Sequence, residues 1–336
     1  MLGPLRARWE SILPLQGALP EWWGATLRAL SDRFNRIEGA PEGDYFATEN
    51  VEPYFAHHGW AQAEAFAAIL TETPMEGPSQ IWDLGGGPGV LTAAASVLWP
   101  EASFTLTDLR SEALAWAEAK LKPLGVKVRT QRQRLPELPE GRPGLVMLGH
   151  VLNELPEGDQ ARLLAALKDR LAEGGRILIL EPALRATTRR LMALREELRA
   201  APFAIQAPCP CLGPCPMLPM DKQWCVAERP WDPPAWFRAL DAAAGLDRRM
   251  LSFAYLVAQK HGAPRAPRAR VVGVPKAQKG KVERWMCVPG GGERWEALAR
   301  HGDPDWAAPR GTEVEIRTDG ELKTREDGWP VRRFRS

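Results

Sequence analysis

The stretch "SQIWDLGGGPGVLTAAASVLW", residues 79–99, decides the fold. A short apolar run, a glycine-rich turn and an alanine-rich stretch of helical character follow one another without a break. Glycines let a backbone turn sharply and approach a ligand closely, and a helix start behind them offers N–H groups with no partner of their own. Asp83 stands two residues before the first glycine of a GxGxG spacing, Gly85, Gly87 and Gly89. About twenty residues further on, the apolar run "FTLTD" ends on Asp108, where a carboxylate can accept hydrogen bonds from both hydroxyls of a ribose.

Working outward, short apolar runs alternate with amphipathic stretches: "FTLTD", "SEALAWAEAKLK", "VKVRT", "GLVMLG", "DQARLLAALKDRLAEGG" and "RILILEPA". This alternation predicts an α/β fold, a doubly wound, Rossmann-like parallel sheet with helices on both faces. "ALRATTRRLMALREELRAA" adds a helix. An insertion at 205–230 carries too much proline for regular structure, after which the helix "PAWFRALDAAAG" and the strand "FAYLVAQ" complete the sheet. Upstream, residues 1–75 form an N-terminal helical cap, with "GATLRALSDRFNRI" and "WAQAEAFAAILTET" in helical period and the polar "EGAPEGD" as a break. The core domain spans 76–261. Residues 262–336 are a basic linker and a small β domain built from "RVVGV", "VERWMCV" and "EVEIRTDGELKT". No repeat of fixed period is present.

Apolar residues at 45% and charged residues at 26% lie in the ordinary globular range, which excludes wholesale disorder and fibrous designs. No apolar run is long enough to span a bilayer, and "MLGPLRARWESILPLQG" lacks the layout of a secretory signal, so a cytoplasmic protein without a membrane partner is expected. A monomer is favoured.

The five cysteines, Cys209, Cys211, Cys215, Cys225 and Cys287, all lie in the last 130 or so residues of 336, three of them inside "PCPCLGPCPM" at 208–217. A few cysteines clustered in one part of a large cytosolic chain point to metal or redox chemistry rather than to a disulfide framework. Four thiolates from Cys209, Cys215, Cys225 and Cys287 could enclose zinc or an iron–sulfur cluster, although no C-x₂-C knuckle is present. The run "VMLGHVLNELP" sets His150, Asn153 and Glu154 near the carboxyl ends of the strands, where open α/β sheets bind ligands. They are the catalytic candidates, His150 as a base or substrate-orienting group, with loop capping as the competing role.

The turn with Asp83 before it and Asp108 beyond it resembles the first motif of class I S-adenosylmethionine-dependent methyltransferases. That resemblance implies that Gly85, Gly87 and Gly89 wrap the methionine and ribose end of the cofactor and that Asp108 holds the ribose. Where such enzymes often carry an acid near the adenine, this chain has Arg132, Gln133 and Arg134. There is no Asn-Pro-Pro-aromatic motif for exocyclic amines, so the methylated atom is not legible. "APCPCLGPCPM", "DKQWC" and "RWMC", with "GGGPG" and "GHVLNELP", resemble the mitochondrial small-ribosomal-subunit methyltransferase-like family and its bacterial homologues over most of residues 75–290. The resemblance implies a 4Fe–4S cluster on Cys209, Cys215, Cys225 and Cys287, with structural zinc as the alternative. Cys211 stands where the family has histidine, as a spare thiol or a competing ligand. The family's Asp-Trp-Cys run is altered to Asp221, Lys222, Gln223, Trp224 and Cys225.

The same resemblance implies the small ribosomal subunit and its rRNA as partners, with a role in ribosome assembly or translation and S-adenosylmethionine-dependent RNA methylation as an added activity. A conventional small-molecule or protein methyltransferase is the alternative function. A redox sensor acting through Cys211 is a third. Residues 260–284 carry eight Lys or Arg against one Glu and offer a phosphate-backbone contact, their first part as a solvated linker. Arg185, Arg189, Arg190, Arg195 and Arg199 extend this basic face in principle, and Trp285 and Trp295 are candidates for stacking on bases.

Overall fold

The computed structural model describes residues 2–15, 17, 19–34, 48–200, 202–266, 268–298, 308–316, 320–323 and 330–334. Strand β1 (Gln80–Leu84) buries Ile81, Trp82, Asp83 and Leu84 in succession. A strand buried on both faces belongs in the middle of a parallel sheet. Accordingly β1 pairs in parallel with β2 (Ser103–Asp108) on one side and β4 (Leu145–Gly149) on the other. Strand β3 (Lys127–Arg132) extends the sheet beyond β2, and β5 (Arg176–Pro182) extends it beyond β4, both in parallel register. With β6 (Phe203–Ala207), β7 (Ala227–Pro230) and β8 (Met250–Lys260), the strand order is β3-β2-β1-β4-β5-β8-β6, with β7 on β8. The order reverses between β1 and β4, and such a switch point is where doubly wound sheets open a crevice at their carboxyl ends. The fold is the α/β, Rossmann-like arrangement of class I methyltransferases, with an N-terminal helical segment, a cysteine-rich insertion and a small C-terminal β domain.

Two compact units divide the chain. The first comprises Met1–Glu181, Trp231–Leu251 and Gln259–His261. Helices α5 (Val90–Leu98), α6 (Ser111–Leu121) and α7 (Glu157–Arg170) connect its strands, and α9 (Ala235–Ala243) follows later in the chain. The N-terminal segment consists of α1 (Leu2–Ile12), α2 (Trp22–Phe34), α3 (Thr48–Tyr54), one π-helical stretch at Phe55–Gly59 and α4 (Trp60–Glu72). Helix α2 buries Trp23, Leu27 and Leu30, one stripe at helical spacing. Helix α4 is buried over most of its circumference and is therefore a core helix. Trp9 stacks on Phe55 with ring centroids 4.8 Å apart, meets Trp60 edge-on, and donates its indole N–H to Phe55 O at 3.1 Å. This contact supplies the buried indole with the partner it needs. The expected break at 38–44 lies outside the described residues.

The second unit comprises Pro182–Pro230, Ser252–Ala258 and Gly262–Ser336. It contains α8 (Arg185–Ala200) and a small sheet of β9 (Ala269–Val271), β10 (Lys276–Gln278), β11 (Lys281–Val288), β12 (Gly291–Leu298), β13 (Glu313–Val314), β14 (Glu321–Lys323) and β15 (Val331–Phe334). The path is β13-β9-β11-β12-β15-β14, with β10 on β11. Ala269, Val271, Met286, Val288 and Trp295 form its core, with Val314 packed against them. Regular structure does enter the cysteine insertion, since β6 and β7 occupy its two ends. The stretch between them has no helix or strand, as its prolines dictate.

The basic segment departs from expectation. Lys260, Arg270 and Arg284 are buried, and Arg265 pairs with both carboxylate oxygens of Glu313 at 3.1 Å. Arg270 lies over the Tyr255 ring at 5.3 Å. Buried cations need such partners, so about half of the segment's charge serves the fold instead of facing water. Trp295 is buried as well and donates its indole N–H to Glu293 at 2.8 Å, which removes it from the base-stacking candidates. Trp285 is half-buried, with Lys276 Nζ 5.8 Å and the Arg294 guanidinium 5.9 Å from its ring.

Candidate functional site

In the first unit the glycine turn follows β1 directly. Gly85, Gly87 and Gly89 have φ of +66°, +52° and +76°, the left-handed region that side chains disfavour. Gly85 is doubly constrained, because a Cβ there would lie 2.8 Å from Val151 Cγ2. Fully buried Asp83 accepts hydrogen bonds from the Thr92 N–H at 3.0 Å and the Thr92 hydroxyl at 2.7 Å, which ties the first turn of α5 to the end of β1. Burial raises its carboxyl to about 6. Asp108 Oδ2 accepts the Gly87 N–H and Oδ1 accepts the Arg110 N–H, each at 2.9 Å. The expected ribose acid thus closes against the loop. Each carboxylate oxygen has a second lone pair, so these bonds leave room for further donors. Positive-φ glycines, a helix start and an acid that touches the loop fit the donor pattern a nucleoside cofactor requires. Arg132 and Gln133 are held close by, Arg132 Nε donating to Leu109 O at 3.0 Å and the Gln133 N–H to Asp108 O at 2.9 Å.

After β4, His150 turns the chain with φ +59°, and its N–H donates to Leu180 O at 2.8 Å. Burial holds its imidazole at about 4, so it is a neutral acceptor near pH 7. Asn153, with its carboxamide oriented to satisfy its neighbours, donates to His150 O at 2.9 Å and to Glu181 Oε2 at 3.2 Å. Glu181 Oε1 accepts the Leu152 N–H at 2.9 Å, and burial raises this acid to about 8. Asn153 therefore braces the turn, while His150 and Glu154 stay at the strand ends as expected. Sequence reasoning missed Glu181, since "RILILEPA" reads simply as a strand. The available signal was one acid ending an apolar run.

The N-terminal segment contributes groups that were also missed. A Cβ on Gly59 would lie 3.0 Å from Val90 Cγ2, and one on Gly149 would lie 3.7 Å from Gln62 Oε1, so this segment packs against both the start of α5 and the end of β4. Gln62 donates to Tyr54 Oη at 2.7 Å, and His58 stacks on Tyr54 with centroids 5.6 Å apart. His57 Nε2 is 2.9 Å from Asp241 Oδ1, and its ring lies flat on Phe237 at 4.5 Å. The π-helical turn lets two adjacent histidines serve different neighbours.

In the second unit Cys209, Cys215, Cys225 and Cys287 line one cavity of about 40 Å³, together with Thr188, Met192, Arg195, Tyr255 and Arg270 among others. Cys211 is buried but does not line it, and its thiol donates to Pro214 O at 3.5 Å. The four that do are the set the sequence singled out. Among the described residues, no three His, Cys, Asp or Glu side chains converge on a single ion-sized point. Burial pushes Cys209 up to about 12 and also raises Cys215 and Cys225. Cys287 is raised as well, chiefly through its hydrogen bond with Cys211, which is lowered by the same contact. Neutral thiols around one cavity suit a group whose own positive charge ionises them.

On α8 the arginines mostly serve the fold, though Arg185 and Arg199 stay exposed. Arg185, Arg189 and Arg195 donate to backbone carbonyls of the cysteine loop, and Arg199 pairs with Glu196 at 3.3 Å. No helix among the described residues is long and apolar enough to cross a membrane.

A family model described as mitochondrial small ribosomal subunit Rsm22 matches residues 48–308. A trans-aconitate 2-methyltransferase of Methylobacterium radiotolerans is 35% identical over 139 residues, 41% of this chain and 51% of that protein. The chain thus spans about half the length of the curated relatives it matches. Among solved structures, the magnesium protoporphyrin IX methyltransferase of Synechocystis PCC 6803 with bound SAH has 14% identity and a TM-score of 0.40, covering 71% of this chain and 99% of that one. The precorrin-6y C5,15-methyltransferase of Geobacter metallireducens GS-15 has 17% identity and a TM-score of 0.40, covering 59% and 89%.

Proposed function

The chain belongs to the mitochondrial small ribosomal subunit Rsm22 family, and from that premise we propose a protein of the small ribosomal subunit that binds its rRNA in assembly or translation. In this reading Cys209, Cys215, Cys225 and Cys287 hold a 4Fe–4S cluster, and Asp83, Gly85, Gly87, Gly89 and Asp108 form a site for S-adenosylmethionine. The observation that carries the proposal is the sorting of the cysteines: the four that line one cavity are the four that match the family pattern, and the fifth does not line it.

S-adenosylmethionine, when bound, supplies an electrophilic methyl group. The chain's part is to cradle it with the positive-φ loop, to accept its hydroxyls at Asp108, and to keep His150 neutral where a proton on an attacking atom needs an acceptor. Methylation of RNA is the added activity in this reading.

The test is iron, acid-labile sulfide and zinc content of anaerobically purified protein, followed by co-sedimentation with small ribosomal subunits. Iron and sulfide each near four per chain, with salt-sensitive co-sedimentation, are expected for this reading. One zinc without sulfide, and no association with the subunit, would overturn it in favour of a conventional methyltransferase.

A further inference from the structure

The stretch that carries Cys209, Cys211, Cys215 and Cys225 has no ladder of its own. Prolines at 208, 210, 214, 216 and 219 remove backbone donors and leave carbonyls to be satisfied by other means. Beside a few turn bonds within the loop, such as the Met220 N–H to Met217 O at 3.0 Å, side-chain partners come from one helix. On α8, Arg189 Nη1 donates to Met220 O and Gln223 O, and Nη2 to Leu218 O, all at 2.8 Å. Arg195 Nη1 donates to Gly213 O at 2.7 Å and Nη2 to Cys211 O at 2.5 Å. Arg185 donates to Asp221 O, and Glu196 Oε1 accepts the Cys215 N–H at 3.0 Å. The Arg195 side chain is only 3% exposed, so its charge has been taken out of water for this purpose.

We propose that Arg189 and Arg195 are positioning residues which hold the cysteine loop in its metal-ligating shape before any metal is present. A guanidinium presents its donors in a fixed fork, so each arginine fixes the spacing of two or three carbonyls at once. Those carbonyls flank the cysteines: Cys211 and Gly213 lie between Cys209 and Cys215, and Leu218, Met220 and Gln223 lie between Cys215 and Cys225. Clamping them sets where each thiol enters the cavity. Metal then binds to a standing site and does not have to fold one, in contrast to small metal domains that are unfolded without their ion.

This inference rests on the reading of the four cysteines as metal ligands, and its test separates the two. The full-length protein is stripped of metal with a chelator, and hydrogen exchange is followed at the amides of residues 209–225. Cobalt(II) alone is then titrated while thiolate-to-metal absorption is recorded. Wild type should show the loop protected without metal. Arg195→Lys keeps the charge but loses the fork, and should raise exchange in the loop and weaken cobalt binding about tenfold. Arg189→Met should act on the Cys215–Cys225 half alone. Protection of the first unit serves as the control for folding.

A metal-free wild-type loop that exchanges as fast as an unstructured peptide would overturn the clamp. So would variants that match wild type in both readouts. A protected loop that takes up no cobalt, and that assembles no iron–sulfur chromophore when the stripped protein is incubated anaerobically with ferrous iron and sulfide, would leave the clamp standing and overturn the metal reading instead.

Discussion

At the scale of single residues the sharpest test is Asp108. It is the expected cofactor acid, yet it also receives the Gly87 N–H and so holds the loop in its bend. Asp108→Asn keeps an acceptor but removes the charge, whereas Asp108→Ala removes both. If it binds a ribose, S-adenosylmethionine affinity measured by calorimetry should fall about tenfold or more in Asp108→Asn and be lost in Asp108→Ala. Association with the small subunit should be unchanged in both. Glu181 makes a prediction about pH. Its folded value near 8 lies above the ordinary 4.5, so the stability it contributes is fully present below about 4.5 and is lost as pH rises through about 8. The slope is at most about 1.4 kcal/mol per pH unit. Glu181→Gln mimics the protonated acid, and melting curves between pH 5 and 8 should be flatter for the variant than for wild type. Equal slopes would place the titration elsewhere. Cys211→Ser belongs here too: because the Cys211 thiol does not line the cavity, metal content should stay at the wild-type level.

At the scale of elements, the histidines of the π-helical turn and of the β4 turn titrate in the opposite sense. His57 and His150 are both held near 4, below the ordinary 6.5 of an imidazole. Their contribution to stability is present above about 6.5 and is lost as pH falls through about 4. Hydrogen exchange should therefore show the segment around Phe55–Gly59 opening first on acidification, and His57→Gln should blunt that response. The same element shows what a sequence can and cannot disclose. The glycine turn was legible because three positive-φ positions can hardly be met by other residues, and β1, β4 and β5 were legible because buried parallel strands are continuously apolar, whereas β2 and the edge strand β3 showed only in the alternation with helices. The four cavity cysteines were legible because so few cysteines occur elsewhere. Tyr54, His57, His58 and Gln62 were not, since their roles come from long-range packing: His57 meets an aspartate 184 positions away. Nor was the fate of the α8 arginines. An arginine that clamps a carbonyl and one that faces a phosphate look alike until the partner's position is known.

At the scale of the whole molecule, the cysteines predict different consequences for the two units. Cys209, Cys215, Cys225 and Cys287 lie together in the second unit, along with most of the residues beyond 262. A group bound to all four joins the proline-rich loop to β11 across a long segment of chain, and clips that close long loops restrict the unfolded chain most. Cys215→Ser should therefore remove the metal and make residues 262–336 more sensitive to limited proteolysis. S-adenosylmethionine affinity, which belongs to the first unit, should stay within about twofold of wild type if that unit holds its shape. Subunit association tests the remaining charge. Of the basic segment, Arg268, Lys276 and Lys279 are the exposed cations, and Arg265, Arg270 and Arg284 are committed to the fold. If the exposed three meet phosphates, replacing all of them with alanine should weaken association and lower the slope of log affinity against log salt by about 2, near 0.7 to 0.9 for each phosphate left without its cation. An unchanged slope would move the RNA-binding surface away from this segment. A reduced slope with an intact metal content and an intact proteolysis pattern would separate binding from stability, since Arg268 also pairs with Glu313 at 3.7 Å and Lys276 lies over Trp285.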